Sequence, residues 1–340
     1  MKADIIMANP CDAPHYHGGS LSAATKKYPD APKPWLDLST GINCVAYPFA
    51  APSRDAYARL PEREGIAALE AAAARCFGLG ERAACVAAPG TQALLQTLPR
   101  LIPAQKVGVF GFAYAEHARC WALNGAEVFI ADTLDDLLAA EVAVIVNPNN
   151  PDGRLLGGDA LRDLAQRLST QGKWLIVDEA FVDFLPGASL ASMLPLPGVI
   201  VLRSFGKVFG LAGLRLGFTL APEPFARRLR QTLGPWAVSG AAVEIGLQAY
   251  GDVDWVRQSA ARLAREGETL DAVLREAGCA PVGGTPLFRL VRHDKAPDIF
   301  ESLCRAGVLV RPFAEKPDWL RFGIPHGDEQ FDRLRGALAF

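Results

Sequence analysis

The stretch of sequence that decides the fold covers residues 199–217 and reads VIVLRSFGKVFGLAGLRLG. It begins with four consecutive apolar residues, which is typical of a strand buried on both faces of a sheet. Polar residues and glycines follow at once, among them Ser204, Lys207 and Arg215. Ligands of open α/β sheets bind at the carboxyl ends of the strands. The stretch therefore predicts a buried strand that leads into a binding site.

Further apolar runs of the same kind alternate with helical patterns between residues 84 and 221. These runs cover residues 85–88, 107–110, 128–130, 142–146, 174–177 and 216–220. Most are apolar continuously rather than alternately, as expected of a parallel sheet that is covered by helices. Residues 159–169 lie between two of the runs and have apolar residues at helical spacing. We therefore predict an α/β fold with a mostly parallel, seven-stranded sheet flanked by helices.

The pattern changes after about residue 235. A long helix with a polar face is predicted over residues 253–277, followed by three short strands and two helices. The strands are predicted at residues 288–291, 308–311 and 320–324, and the helices at residues 297–306 and 328–338. This arrangement predicts a smaller α+β domain. We expect a large domain over residues 36–235 and a small domain that combines residues 1–35 with residues 236–340.

Composition excludes several classes of protein. The chain has 340 residues, half of them hydrophobic, which is enough for a sizeable core. Its 35 basic and 37 acidic residues give a net charge of −2, so we expect no nucleic-acid partner. We expect no signal peptide, and the most membrane-like stretch, residues 186–202, is short and carries three prolines. We therefore expect no membrane partner.

The seven cysteines form no CxxC pair, which indicates reduced thiols and a cytoplasmic protein. Cys11, His15 and His17 lie close together and could bind a metal ion. A polar N-terminal segment is the simpler interpretation, and we predict no metal.

Three polar motifs follow predicted strands. NPNNPDG at residues 147–153 follows one strand, Asp178 follows the next, and Ser204 and Lys207 follow a third. Taken singly, they have ordinary interpretations as a turn, a helix cap and surface charges. Together they match the needs of pyridoxal phosphate, which binds a lysine, an acid at its ring nitrogen, a donor at its phenolic oxygen and a phosphate cradle. No P-loop motif GxxxxGK[ST] surrounds Lys207.

The motifs SFGK at 204–207, GLAGLRLG at 210–217 and NPNNPDG at 147–153 resemble the fold-type-I pyridoxal-phosphate enzymes, the aspartate aminotransferase superfamily. The resemblance covers nearly the whole chain and implies a role for each matching residue. Lys207 is expected to bind the aldehyde, Asp178 the pyridine nitrogen and Asn150 the phenolic oxygen. The remaining cofactor assignments are Gly90, Thr91, Ser204 and Arg215 at the phosphate and Tyr114 stacked on the ring. Lys207, Asp178 and Tyr114 are the expected catalytic residues, and the superfamily implies a homodimer.

The opening of the chain narrows the resemblance. HYHGG at 15–19, followed by DLSTGIN at 37–43, is similar to the threonine-phosphate decarboxylases of cobalamin biosynthesis, within the histidinol-phosphate aminotransferase branch. This implies decarboxylation of L-threonine O-3-phosphate to (R)-1-amino-2-propanol O-2-phosphate. The expected substrate-binding residues are His17, Gly18, Gly19, Asn43, Arg311 and Arg321. Arg321, in the sequence LRFG, matches the carboxylate-binding arginine of the superfamily.

Two departures from related enzymes and two alternatives stay open. Leu60 stands where the branch usually has a tyrosine that reaches the partner subunit's phosphate, and Phe181 stands where aspartate aminotransferases often have a tyrosine bonded to the phenolic oxygen. The first alternative is a histidinol-phosphate aminotransferase, which needs a 2-oxo acid as second substrate. The second is a ligand-sensing regulator built on this fold, although Lys207, Asp178 and Arg215 are retained and the chain is not basic.

Overall fold

The structure is a computed structural model that describes residues 18–185 and 187–339. Cys11, His15 and the predicted substrate residue His17 lie outside the described residues. Contacts divide the chain into two compact units. The larger unit contains Tyr47–Asn150 and Leu155–Trp255. The smaller unit contains residues 18–46, Pro151–Arg154 and residues 256–339.

The described residues form helices and strands in the following order along the chain. The strands are β1 (Leu36–Asp37), β2 (Ala83–Ala88), β3 (Lys106–Phe110), β4 (Glu127–Ala131), β5 (Val142–Val146), β6 (Trp174–Asp178), β7 (Val199–Ser204), β8 (Gly217–Pro222), β9 (Pro281–Thr285), β10 (Phe288–Arg292), β11 (Val308–Leu309), β12 (Arg311–Phe313) and β13 (Lys316–Gly323). The helices are α1 (Leu21–Lys27), α2 (Asp55–Ala58), α3 (Arg63–Phe77), α4 (Thr91–Leu101), α5 (Glu116–Leu123), α6 (Gly158–Ser169), α7 (Phe205–Val208), α8 (Glu223–Leu233), α9 (Gly240–Gly251), α10 (Val253–Glu276), α11 (Ala296–Arg305) and α12 (Gly327–Leu338). None of these helices is long and apolar enough to cross a membrane.

A seven-stranded sheet forms the centre of the larger unit. Its strand order is β2-β8-β7-β6-β5-β3-β4, and only β8 runs antiparallel to its neighbours. Every residue of β5 is buried, as the continuous apolar run predicts. Leu161, Leu164 and Leu168 bury one stripe of α6, at the spacing of a helix that covers a sheet. The predicted α/β fold with a mostly parallel seven-stranded sheet is confirmed.

The smaller unit has a four-stranded antiparallel sheet in the order β12-β13-β10-β9 and a separate parallel pair, β1 with β11. The prediction of one strand over residues 308–311 is wrong. Val308 and Leu309 pair with Leu36 and Asp37, whereas Arg311 begins a strand that pairs with β13. The chain therefore leaves the pair formed by β1 and β11 and enters the four-stranded sheet at Val310.

Packing explains where the two units divide. Helix α9 lies against α3 so closely that a Cβ on Gly246 would be 2.6 Å from Leu69, which assigns residues 236–255 to the larger unit. Residues 36–46 belong to the smaller unit, in which β1 pairs with β11. A division into independent domains at residues 35/36 and 235/236 stays a prediction.

Candidate active site

Lys207 lies in the short helix α7, directly after strand β7. The glycine before it has a clear steric reason, because a Cβ on Gly206 would be 2.6 Å from the Cα of Ala212. Real Cβ atoms do not approach backbone this closely, so only glycine lets the loop after α7 close over it. Lys207 is half-buried, and its Nζ lies 5.4 Å from the centroid of the Phe181 ring.

The start of helix α4 forms a cradle with Arg215. Gly90 precedes the helix at a φ of +86°, and a Cβ there would be 2.8 Å from Arg215 Nη2. A Cβ on Gly217 would be 2.7 Å from the backbone nitrogen of Thr91. Ser204 is in register with Gly217 across β7 and β8. The structure therefore brings the four predicted phosphate residues to one helix N-terminus, where unpaired N–H groups favour an anion.

Arg215 has an unusual backbone conformation. Its φ of +56° lies in the left-handed region, which residues other than glycine rarely adopt. Its Nη1 donates to the carbonyl oxygen of Ala212 at 3.0 Å. Backbone strain of this kind is found mainly where function requires it, and here it directs the guanidinium toward Gly90.

Asp178 ends β6 and is only 4% exposed. Its Oδ1 accepts from the backbone nitrogen of Ala180 at 3.0 Å, and its Oδ2 lies 2.8 Å from Nε2 of His117. Because a carboxylate only accepts, His117 carries the proton of this bond on Nε2. His117 is 1% exposed and was missed by the sequence analysis. Its position one helical turn beyond Tyr114 is the signal that could have revealed it.

Tyr114 is held by a second pair of residues that the sequence analysis missed. Its hydroxyl donates to Gln92 Oε1 at 3.3 Å, and Gln92 Nε2 donates to Glu116 Oε2 at 2.8 Å. The Tyr114 ring also meets the edge of the His117 ring, with centroids 6.2 Å apart. Tyr114 and Asp178 therefore share one neighbour, His117.

Asn150 ends a segment that its own asparagines anchor. Asn147 Oδ1 accepts from the backbone nitrogen of Leu156 at 2.8 Å, and Asn149 Nδ2 donates to the carbonyl oxygen of Phe112 at 3.0 Å. Both asparagines are buried, whereas Asn150 is half-buried. The motif that resembles a simple turn is thus a fixed extension of β5.

Buried charges brace the strand ends from below. Glu179 accepts from the backbone nitrogen of Leu190 at 2.7 Å and from Ser189 Oγ at 2.6 Å, and it pairs with Arg203 at 3.4 Å. Arg203 also pairs with Asp183. Burial raises the pKa of the Glu179 carboxyl, while the Arg203 guanidinium opposes that rise. This network ties β6 to β7 next to Asp178 and Ser204.

In the smaller unit, three predicted substrate residues meet at Ser39. The Ser39 hydroxyl accepts from the backbone nitrogen of Gly19 at 2.7 Å, and the Ser39 carbonyl accepts from Arg321 Nη2 at 2.8 Å. A Cβ on Gly18 would be 2.3 Å from that carbonyl oxygen, so a side chain cannot be accommodated there. Asp37 Oδ1 in turn accepts from the Ser39 hydroxyl at 2.6 Å.

Arg311 and Arg321 stand directly opposite each other in the pair formed by β12 and β13. Their guanidinium carbons lie 5.4 Å and 5.0 Å from the ring centroids of Phe313 and Phe288, respectively. Two guanidinium groups at opposed positions of one strand pair suit an anionic ligand, which can accept hydrogen bonds from both.

Asn43 is also buried in the smaller unit, and its amide oxygen accepts from Arg262 Nη2 at 2.5 Å. Arg262 pairs with Glu266, which is bonded to His326. None of these three partners was predicted from the sequence.

Comparison with known proteins places these residues in a family. The sequence model of the family described as Aminotransferase class I and II matches residues 33–338 of this chain. The chain is 41% identical to the threonine-phosphate decarboxylase of Pseudomonas aeruginosa, over 95% of this chain and 96% of that protein. It is 44% identical to the enzyme of the same name from a Sinorhizobium species, over 96% and 98% of the two chains.

Solved structures share the fold at lower identity. The histidinol-phosphate aminotransferase from Clostridium acetobutylicum superposes with a TM-score of 0.78 at 18% identity and covers 89% of this chain and 98% of its own. With the family match over nearly the full length, the chain belongs to the aminotransferase class I and II family.

Proposed function

We propose that this chain is a pyridoxal-phosphate-dependent decarboxylase that converts L-threonine O-3-phosphate to CO₂ and (R)-1-amino-2-propanol O-2-phosphate, for cobalamin biosynthesis. The observation that carries this proposal is its similarity, over nearly the whole chain, to two threonine-phosphate decarboxylases. The histidinol-phosphate aminotransferase from Clostridium acetobutylicum shares the fold, but at 18% identity it does not support histidinol phosphate as the substrate of this chain.

The residues present fit the cofactor. A Cβ at Gly90 would fill the cradle against Arg215, and the donors around it are backbone N–H groups, a hydroxyl and a guanidinium, as a phosphate requires. A buried carboxylate, Asp178, stands ready for a protonated ring nitrogen. Lys207 supplies the amine. Pyridoxal phosphate, when bound, provides the aldehyde that takes up amines and the ring that accepts the electron pair released at Cα.

We assign to the buried pair of Asp178 and His117 the role of holding a proton on the ring nitrogen of the cofactor. His117 donates to Oδ2, and the backbone of Ala180 donates to Oδ1, so both carboxylate oxygens are held in a fixed orientation. Because the site has a low dielectric constant, the Asp178 carboxylate would interact more strongly with a proton on the cofactor's ring nitrogen than it would in water. Lys207 carries the other proton transfer. We assign to its Nζ the delivery of a proton to the substrate Cα after CO₂ leaves.

Residues that bind the anionic groups of the substrate decide which bond to Cα is broken, because they fix its orientation. We assign this role to Arg311, Arg321 and Asn43, together with the backbone of Gly18 and Gly19. His17 belongs to the same proposal and lies outside the described residues. The opposed arginines of β12 and β13 support it most directly, since guanidinium groups bind phosphate and carboxylate groups through paired hydrogen bonds.

The test is turnover without a second substrate. The purified holoenzyme is incubated with L-threonine O-3-phosphate in the absence of any 2-oxo acid, and the release of CO₂ and amine is measured. Steady release is expected. Absence of release, together with amino transfer from histidinol phosphate to an added 2-oxo acid, would show an aminotransferase instead.

We also propose a homodimer and a cytoplasmic location. Tyr57, Leu60 and Trp236 are 70%, 62% and 55% exposed, more than expected for large apolar side chains without a partner surface. The segments that carry them are adjacent, because a Cβ on Gly240 would be 2.5 Å from the Ala56 carbonyl oxygen. Sedimentation of the wild type and of Leu60→Glu tests the dimer, and the variant is expected to dissociate.

The proposed cytoplasmic location is supported by the cysteines. The six cysteines in the described part of the chain are free thiols, which suits a reducing compartment.

A further inference from the structure

Strand β7 continues past the end of one of its two neighbours. On the side of β6, the paired positions end with Asp178 and Leu202, and the backbone nitrogen of Glu179 donates to the carbonyl oxygen of Leu202 at 2.9 Å. On the side of β8, the pairing continues through Arg203 and Ser204. The last two residues of β7 therefore extend beyond β6, at the point where the chain enters the candidate site.

The Arg203 side chain binds the segment that follows β6 instead. Its Nη1 donates to Ser189 Oγ at 3.1 Å and pairs with Glu179 Oε2 at 3.4 Å, while its Nη2 pairs with Asp183. The guanidinium carbon also lies 4.1 Å from the centroid of the Phe77 ring. Because the guanidinium is buried and held on several sides, it fixes the backbone that carries it.

The Arg203 backbone touches the phosphate cradle directly. Its carbonyl oxygen accepts from the Thr91 hydroxyl at 3.2 Å, and the next residue in the chain is Ser204. Successive residues of a strand point to opposite faces of the sheet, so the Arg203 and Ser204 side chains lie on different faces. A shift of this end of β7 would therefore move Thr91 and Ser204, two of the four predicted phosphate residues, without any change in the cradle's own side chains.

Stability alone does not account for the network. Its three charged groups lose their hydration on burial, and that cost offsets much of their mutual attraction. Among the described residues, Arg203 Nε has no hydrogen-bond partner, so the guanidinium is not fully satisfied. The clearest effect of the network is geometric, because its contacts determine where the end of β7 lies.

We propose that Arg203 is a positioning residue for the cofactor phosphate, which acts by holding Thr91 and Ser204 at their places in the cradle. The inference rests on the part of the proposed function that places the phosphate at the start of α4, and it does not depend on the substrate. The Arg203 side chain lies within the buried network and does not touch the cofactor. Its removal should weaken the binding of a phosphate group more than the binding of the rest of the cofactor.

The test compares pyridoxal phosphate with pyridoxal, which lacks the phosphate. The double variant Arg203→Met/Glu179→Gln removes one buried charge of each sign, so the summed charge of the network is kept. Its affinity for pyridoxal phosphate is expected to fall about tenfold, the factor for one weakened hydrogen bond to a charged group, and its affinity for pyridoxal by less than about threefold. Titration of the apo protein, followed by absorbance, measures both. Equal losses would indicate a merely structural role and overturn the proposal.

The surface of the larger unit offers a matched control. Arg167 also contacts two carboxylates, those of Asp135 at 2.8 Å and Asp163 at 3.5 Å, but all three side chains are exposed. Arg167→Met/Asp163→Asn should leave both affinities unchanged, and melting curves check the fold of both double variants. If the Arg203 double variant does not fold, Arg203→Lys decides, because it keeps the charge and loses the planar fork. A threefold fall, roughly, in the preference for pyridoxal phosphate is then expected, and an unchanged preference overturns the proposal.

Failure of the proposed function gives a different result. If the phosphate does not bind at the start of α4, Arg215→Gln will also leave the preference for pyridoxal phosphate unchanged, and the positioning role falls with the cradle. If Arg215→Gln lowers this preference and the Arg203 variants do not, the cradle stands and only the positioning role is overturned. Because the titrations involve no turnover, their outcome does not depend on whether the wild type releases CO₂.

Discussion

The proposed cofactor residues of the larger unit and the proposed substrate residues of the smaller unit are held in place by different means. In the larger unit, Asp178 and Ser204 end neighbouring parallel strands, so the topology of the sheet alone brings them to one edge. In the smaller unit, the decisive contacts join segments that are far apart in the sequence. Arg321 bonds to Ser39, 282 residues earlier, and Arg262 bonds to Asn43, 219 residues earlier.

Because of this difference, we expect mutations in the two units to have different effects. A side chain at the end of a buried strand has a rigid support, so its replacement removes a chemical group and leaves the geometry intact. A side chain held by a distant loop is positioned by a few hydrogen bonds, so its replacement also disturbs its neighbours. We therefore expect substitutions in the larger unit to act on kcat and those in the smaller unit to act on KM.

The largest effect is expected from Lys207. Lys207→Ala removes both the amine that binds the aldehyde and the proposed proton donor, and it should lower kcat at least about 10³-fold, within the range for positioned acid–base groups. The measurement is CO₂ release together with the absorbance of the bound cofactor. Lys26→Ala, at an exposed position in α1, is the control for loss of a lysine. Retained turnover in Lys207→Ala would remove this residue from the chemical step.

Asp178 and His117 test whether rigid support or charge matters more in the larger unit. Asp178→Asn keeps the shape but removes the charge, and it should lower kcat about 10²–10³-fold, as for other groups that stabilise charge in a reaction. His117→Gln keeps a donor toward Asp178 and should cost less. Equal losses in the two variants would mean that orientation, and not charge, is the contribution of Asp178. Steady-state kinetics at saturating substrate provides the comparison.

The fold was predictable because its signals are local. The run at residues 142–146 is apolar without interruption, and it is the fully buried strand β5. Strand β9 (Pro281–Thr285) was missed, because three of the five residues in its sequence PVGGT are proline or glycine, which are rare in strands. The change of sheet at Val310 was missed for a related reason, since a continuous apolar run carries no mark of where its pairing partner changes.

The candidate site was open to prediction where its residues follow strands. Asp178 follows an apolar run directly, Asn150 and Lys207 follow such runs within a few residues, and their motifs match the superfamily. His117 and Arg262 were not found, because their importance lies in contacts with residues 61 and 219 positions away. Single side chains of this kind have no local pattern, and only the folded chain shows what they touch.

Arg311 tests the prediction for the smaller unit. Arg311→Ala removes one of two opposed guanidinium groups and should raise KM for a phosphorylated substrate by about 10- to 100-fold, the range for hydrogen bonds to charged groups. Because the Arg311 guanidinium also lies over the Phe313 ring, the melting temperature without substrate should fall slightly. Kinetics and thermal melts of the same preparation test both statements. An unchanged KM would exclude Arg311 from substrate binding.

The smallest effect is expected from two glycines that share a positive φ but not an environment. Gly90 and Gly125 have φ values of +86° and +89°, yet a Cβ at Gly90 would be 2.8 Å from Arg215 Nη2, whereas one at Gly125 would have nothing within 4 Å. Substitution by alanine therefore strains both backbones, by about 1–3 kcal/mol each, but only Gly90→Ala also displaces the guanidinium.

Both variants should melt at a lower temperature than the wild type. Only Gly90→Ala should in addition bind pyridoxal phosphate about tenfold more weakly, which corresponds to one weakened charge-assisted bond to the phosphate. Titration of the cofactor into the apo forms, followed by absorbance, separates the two effects. If Gly125→Ala weakened cofactor binding equally, backbone strain alone would account for the change, and the cradle formed by Gly90 and Arg215 would lose its support.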